Sequence, residues 1–139
     1  EYDYFITTRS DNVYINDKFP FMENTICIPL TQDYHGISDR FFTVPSNLVI
    51  ESLDMLRFVY QTNILKGHIE NQLKFFYDNK GFNIHRFLKN HFIVMRENEQ
   101  SGSNVRGKRL NKELLIKYDK EYTDCKSNYP DDIMVFSQP

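Results

Sequence analysis

The sequence predicts an α+β fold: short antiparallel strands at the N-terminus, three to four helices after them, and a strand at the C-terminus. Three observations carry this reading. Apolar residues recur at period two through the first 45 residues. From Pro45-Ser46-Asn47 onward the period lengthens to that of a helix. Near the end, Ile133 to Phe136 is an uninterrupted apolar run, the pattern of a buried strand. Strands followed by helices indicate α+β rather than alternating βαβ units.

The strand region is marked by Tyr4, Ile6, Val13, Ile15, Ile26 and Ile28, in short runs bounded by Asp, Asn and Pro. Ser10-Asp11-Asn12 and Asn16-Asp17 supply turn chemistry. Pro20 and Pro29 limit strand length or place those strands at edges. Arg40 to Val44 is a further strand. Ser46 or Asn47 then caps a helix to about Gln61, with Val49, Leu53, Leu56 and Tyr60 at i, i+4, i+7 and i+11 as its buried stripe. A second helix spans His68 to Asn79, with Ile69, Leu73, Phe76 and Tyr77 inward and Phe75 outward. Lys80-Gly81 ends it, a cation in the last turn and glycine just past it.

Asn83 starts a short third helix with Ile84, Phe87 and Leu88 inward. Phe92 to Met95 reads as a strand, Glu97 to Arg109 as a polar loop, and Leu110 to Tyr122 as a fourth helix. The expected core is Val49, Leu53, Leu56, Ile69, Leu73, Phe76, Phe87 and Ile133.

With 139 residues the natural expectation is one domain, residues 1–139. The chain opens at Glu1 without Met, which reads as a piece excised from a longer polypeptide. Apolar content of 40% beside 26% charge fits a soluble globular chain, and no run reaches the 18 or so apolar residues of a membrane span. Alanine and tryptophan are absent, while Asn, Ile, Lys, Tyr and Phe dominate. Those five have AT-rich codons, so the composition points to a virus, a phage or another AT-rich genome. Cys27 and Cys125 form no disulfide framework, and Cys27 sits between Ile26 and Ile28 like a small apolar strand residue. There is no N-x-S/T sequon. A reducing, cytoplasmic or intracellular setting is the expectation (the host cell, if the source is viral).

Charge is sorted along the chain. Residues 66–117 hold eleven Lys and Arg against five Asp and Glu, while residues 1–65 hold four against nine and residues 118–139 two against five. A basic middle between acidic ends favours an acidic protein or nucleic-acid partner. Its candidate contact residues are Lys66, Lys74, Arg86, Lys89, Arg106, Lys108, Arg109 and Lys112.

Catalytic motifs are incomplete. Gly102-Ser103-Asn104-Val105-Arg106-Gly107-Lys108 matches G-x-x-x-x-G-K, but Arg109 stands where a hydroxyl must hold Mg²⁺. The segment reads better as a basic Gly/Ser loop. His35, His68, His85 and His91 include no i, i+4 pair, so no metal site is expected. Pro130-Asp131 matches the opening of a PD-(D/E)xK nuclease motif, but no E-x-K follows. Neither cysteine lies in a nucleophile motif, and no cofactor is expected.

The function expected from these observations is a non-catalytic protein-interaction domain that contacts its partner through the basic middle. An RNA- or DNA-binding module using the basic loop 102–112 is the alternative, and a small hydrolase or nuclease with a dispersed site is the third. The aromatic residues belong mostly to the core, and no RNP-like string is present. Oligomeric state is not legible.

Overall fold

A computed structural model describes residues 1–30, 33–62, 67–88, 91–97, 108–109, 114–116 and 118–131, with backbone alone for 96, 97, 108, 109, 114, 115 and 119. The chain is a mixed α+β protein and divides into two compact units. Unit 1 is Glu1–Thr8 with Phe19–Leu88, and unit 2 is Arg9–Lys18 with Lys89–Pro139. The first boundary falls between Thr8 and Arg9, just before the turn in which Asn12 N–H bonds back to the Arg9 carbonyl at 3.3 Å.

Unit 1 is built on four strands: β1 (Tyr4–Thr8), β3 (Ile26–Pro29), β4 (Phe41–Pro45) and β5 (Ile84–Phe87), in the order β1-β4-β3-β5. β1 and β3 run antiparallel to β4, and β5 lies parallel to β3 with Ile26 opposite Ile84. Every residue of β3 and β4 is buried, because both faces of these inner strands are covered. On one face Ile26, Ile28, Phe42 and Val44 meet Leu73, Phe76 and Tyr77 of α3 (Ile69–Lys80). On the other face Phe19 packs on Phe41 with ring centroids 4.6 Å apart, and the Thr43 hydroxyl donates to the Pro20 carbonyl at 2.7 Å. Cys27 is opposite Thr43 on that face and is a free thiol, as its sequence context predicts. Pro29 and Pro45 each close a strand.

Between β4 and α3 stand α1 (Ser46–Ser52) and α2 (Met55–Thr62). The sequence predicts one helix here. The break follows from Ser52, whose hydroxyl bonds back to the Val49 carbonyl at 2.9 Å, and Asp54 N–H then bonds to Glu51 three residues back. No side chain caps α1; Asn47 donates to the Asn24 side-chain carbonyl at 2.7 Å instead. The end of α3 is as predicted: Gly81 takes a left-handed φ of 69°, and Phe82 N–H reaches back to the Tyr77 carbonyl.

The expected third helix at Asn83 is strand β5. Ile84 and Phe87, three apart, fit one face of a helix and fall on opposite faces of a strand, and the parallel pairing with β3 overrides that local spacing. Leu88, expected inward, is 83% exposed.

Unit 2 carries β2 (Asn12–Tyr14), β6 (Phe92–Glu97), β7 (Lys108–Arg109) and β8 (Leu114–Ile116), all antiparallel in the order β2-β6-β8-β7. The strand at Phe92 is as expected. The helix predicted over Leu110–Tyr122 is not formed. Ile116 pairs with Met95 in the sheet, and α4 (Asp119–Asn128) starts only after the extended Tyr118. Lys108 and Arg109, expected in the loop, are strand residues. Ile15, Ile93 and Cys125 form the buried core, with Val13, Met95, Tyr122 and Tyr129 around them. The C-terminal strand expected at Ile133–Phe136 lies outside the described residues.

Candidate functional site

Of the cations singled out by the sequence, Lys74 and Arg86 can be followed to their side-chain partners. Lys74 lies on the exposed side of α3, and its ammonium pairs with the Asp78 carboxylate one turn on. Arg86 on β5 donates to the Asp33 carboxylate at 2.7 Å and to the Pro29 carbonyl at 2.9 Å. Both charges are met within unit 1. Lys108 and Arg109 are placed by backbone only, opposite Ile116 and Leu115. Lys66, Lys89, Arg106 and Lys112, with most of the loop 102–112, lie outside the described residues. The unit boundary at Leu88 and Lys89 also shares out the basic middle between two separate bodies.

His85 belongs to β5 in unit 1 and His91 precedes β6 in unit 2. His91, expected as a half-buried packing residue, is buried within a polar node. Its Nδ1 lies 2.6 Å from Asn16 Oδ1 and 3.1 Å from the Tyr129 hydroxyl, and its carbonyl accepts Ile15 N–H at 2.8 Å. Asn16 Oδ1 also accepts Lys18 N–H, which orients the amide and makes His91 Nδ1 the donor towards that oxygen. The node ties the segment 9–18 to β6 and α4. Among the described residues, no three His, Cys, Asp or Glu side chains gather as a metal would require.

The thiols are poor nucleophiles. Burial pushes Cys125 up to about 12, and the carboxylates of Glu121 and Asp124 on the same helix add to the shift. Its Sγ lies 3.6 Å from the Phe92 carbonyl, so the protonated form is the one with a hydrogen-bond acceptor. Burial likewise raises Cys27, against the smaller opposing effect of hydrogen bonds to Thr43 and to the Met22 backbone. An open cavity of about 420 Å³ in unit 1 is lined by Asp3, Tyr4, Glu23, Asn24, Pro45, Ser46 and Asn47. It holds two carboxylates and amides, without a histidine, a cysteine or a cation.

The feature that sequence reasoning missed is on α1 and α2. Leu53, Leu56 and Tyr60, expected as the buried stripe, are 52%, 76% and 85% exposed, and Ile50 is 82% exposed. The inward side is formed by Leu48, Val49, Met55 and Phe58, packed on the unit 1 core, together with buried Val59. The helical pair therefore exposes apolar residues as well as burying them. Leu56 and Tyr60 lie one turn apart on the same side of α2, while Ile50 is on α1 and Leu53 is in the turn between the helices. Asp54 and Arg57 pair with each other at 3.1 Å. The signal in the sequence is a broad apolar arc that includes Leu48, Val49, Leu53, Met55, Leu56, Val59 and Tyr60, opposite a polar side of Asn47, Glu51, Asp54, Arg57 and Gln61, and it is wider than one packing contact covers.

Among the described residues, no helix is long and apolar enough to cross a membrane. Compared with protein-family models, curated proteins and solved structures, the chain matches none.

Proposed function

We propose that this chain is a non-catalytic interaction domain that docks a protein on the outward face of α1 and α2. The observation that carries the reading is Ile50 on α1, Leu53 in the turn after it, and Leu56 and Tyr60 on α2, four large apolar side chains more than half exposed within eleven residues. Single exposed apolar residues are ordinary, but a group of this size marks a contact surface. The inward face already holds unit 1 together, so the four exposed residues have no role in the core. The reading differs from one based on the basic middle. Arg86 is held by Asp33 and the Pro29 carbonyl and Lys74 pairs with Asp78 across an exposed surface, so neither supports the basic-middle reading as directly as the apolar residues support this one.

A peptide-display selection on the immobilised protein tests this. Recovered peptides should carry apolar residues at helical spacing and lose binding when Leu56 and Tyr60 are both changed to Asp. Peptides that bind the double variant equally well overturn the reading. So does steeply salt-dependent binding of single-stranded RNA or DNA that the double variant retains, since counterion release is the mark of phosphate contacts.

A further inference from the structure

We infer that the outer edge of β1 is a further docking surface, on which an extended segment of a different protein adds as a strand and sets a lysine or arginine beside Asp3 and Glu23.

The backbone points to a strand as the occupant. β1 ends the unit 1 sheet, and among the described residues no strand pairs with its outer edge. Its ladder to β4 is antiparallel, with Tyr4 opposite Pro45 and Ile6 opposite Thr43. Pro45 has no N–H to give, and Ser46 N–H donates to the Asp3 carbonyl at 2.8 Å. Bonded and non-bonded pairs alternate along an antiparallel ladder. Phe5 and Thr7 therefore turn their backbone groups to β4, as Asp3 does, and Tyr4 and Ile6 turn theirs outward. Such a row of N–H and C=O groups is a template for one more strand.

The side chains leave the edge unguarded. Natural edges are blunted by charge, proline or a bulge. The opposite edge of the sheet, β5, carries His85 and Arg86. β1 reads Tyr-Phe-Ile-Thr-Thr in unbroken register, aromatic and β-branched without any of these devices. Phe5 and Ile6 are exposed on its two faces. On the Ile6 side the Tyr4 ring packs on Phe21 with centroids 5.3 Å apart, and Phe21 and Met22 are exposed as well. An added strand with apolar residues at alternate positions covers this surface.

Charge sets the kind of segment. The cavity lined by Asp3, Tyr4 and Glu23 lies at the end of this edge and has no cation in its lining. Residues opposite each other on neighbouring strands share a face. The incoming residue opposite Tyr4 therefore stands on the Tyr4 side, beside both carboxylates, and a cation is favoured there. β1 contains none, so a second copy of this edge does not supply it.

Amide hydrogen exchange on the full chain tests this, with a short peptide of alternating Val and Thr ending in Lys as the probe. In the protein alone the Phe5 and Thr7 amides should exchange slowly and those of Tyr4 and Ile6 fast. The peptide should slow Tyr4 and Ile6 by about tenfold or more and leave Phe5 and Thr7 unchanged. Ile6→Pro removes an outward N–H and no bond to β4, so this variant should fold and lose the peptide. Should it fail to fold, the peptide decides: N-methylation at one alternate set of its residues should abolish binding, and at the other set should not. Asp3→Asn with Glu23→Gln should erase the preference for Lys over Glu at the peptide end, and a preference that persists removes the cation from this place. A peptide that does not slow Tyr4 and Ile6 overturns the inference. So does binding lost in the Leu56→Asp, Tyr60→Asp variant, which would put the peptide on the helices. Slowing caused by protein concentration alone overturns the different protein in favour of a second copy.

Discussion

Arg86 and Asp33, distant in sequence, close a 2.7 Å ion pair that anchors the loop after β3 to the edge strand β5. The guanidinium also caps the Pro29 carbonyl, and the other Asp33 oxygen accepts Ser38 N–H at 3.1 Å. Both side chains are nearly four-fifths shielded, so the pair is less screened than a surface bridge. Arg86→Ala should cost about 1–3 kcal/mol, the range for hydrogen bonds to charged groups. The double variant with Asp33→Ala should cost less than the sum of the singles. Lys74→Ala, which removes an exposed helical pair, should stay within about 0.5 kcal/mol. Urea denaturation of the four proteins measures these differences. Equal costs for Arg86→Ala and Lys74→Ala would mean that Arg86 is as solvated as Lys74.

Truncation should be costly at Phe76 on α3, in the core beneath α2, and nearly neutral at Leu56 on the outward side of α2. Phe76 is fully buried, with Phe58 at 5.2 Å and Phe82 at 6.1 Å between ring centroids. Phe76→Ala should cost about 3–5 kcal/mol through lost burial and a residual cavity. Leu56→Ala, at 76% exposure, should change the stability of the isolated chain by less than about 0.5 kcal/mol. Thermal melts at low concentration are the check. A loss of several kcal/mol for Leu56→Ala in the monomer would put that residue back in the core.

These two residues also show how far the sequence could be read. Phe76 lies in a helix with an exposed polar side formed by Asn71, Lys74 and Asp78, so its inward side is evident, although Glu70 is buried with it. Leu56 lies on a broad apolar arc, and the spacing of Val49, Leu53, Leu56 and Tyr60 fits a core stripe as well as Leu48, Met55, Phe58 and Val59 do. Period alone cannot choose which part of such an arc is buried; the sheet chooses, by packing against one part of it. Ile69 was placed inward for a similar reason and is 36% exposed at the first turn of α3. The strands of the first 45 residues and the Gly81 terminus were legible because turn chemistry and alternation act locally. The strands β5 and β8 were not, because Ile84 and Phe87 stand at a helical spacing and Leu114–Ile116 is too short a run to show alternation.

Gly36 offers a test of a close approach that no motif announced. A Cβ placed there would lie 2.1 Å from the carbonyl carbon and oxygen of Glu70, at the start of α3. The same contact is held by Ile37 N–H donating to the Glu70 carbonyl at 2.9 Å. Backbone against backbone cannot yield as a flexible side chain does. Gly36→Ala should therefore destabilise unit 1 by about 1–3 kcal/mol, the cost of overpacking, although the substitution is the one that usually stabilises a loop. Hydrogen exchange should show the loss of protection concentrated at Ile37 and the first turn of α3. A stabilised Gly36→Ala protein would rule out the close approach.

Burial raises Cys125, Cys27 and the Tyr77 phenol alike, so all three contribute to a loss of stability at alkaline pH. Cys125 is held at about 12 by burial and by its acidic neighbours, and Cys27 is also raised by burial. In the unfolded chain both ionise near their ordinary value of 9.0. Between those values the native state keeps protons that the unfolded state has lost. Fewer protons are then bound on unfolding, so the stability of unfolding falls as pH rises. The contribution is fully present below pH 9 and declines steadily towards pH 12, where the Cys125 thiol ionises in place and its hydrogen bond to the Phe92 carbonyl is lost. Urea midpoints measured from pH 7 to 11 should be flat to about 9 and then drop. In the Cys125→Ala protein the drop should be shallower, from a lower starting stability because a buried group has been removed. Thiol labelling gives the matching kinetic result: at pH 8 a disulfide reagent should modify both cysteines only after denaturant is added. Rapid labelling of the native protein at that pH, or an identical alkaline slope in the Cys125→Ala variant, would show that the thiols are not the buried, protonated groups described.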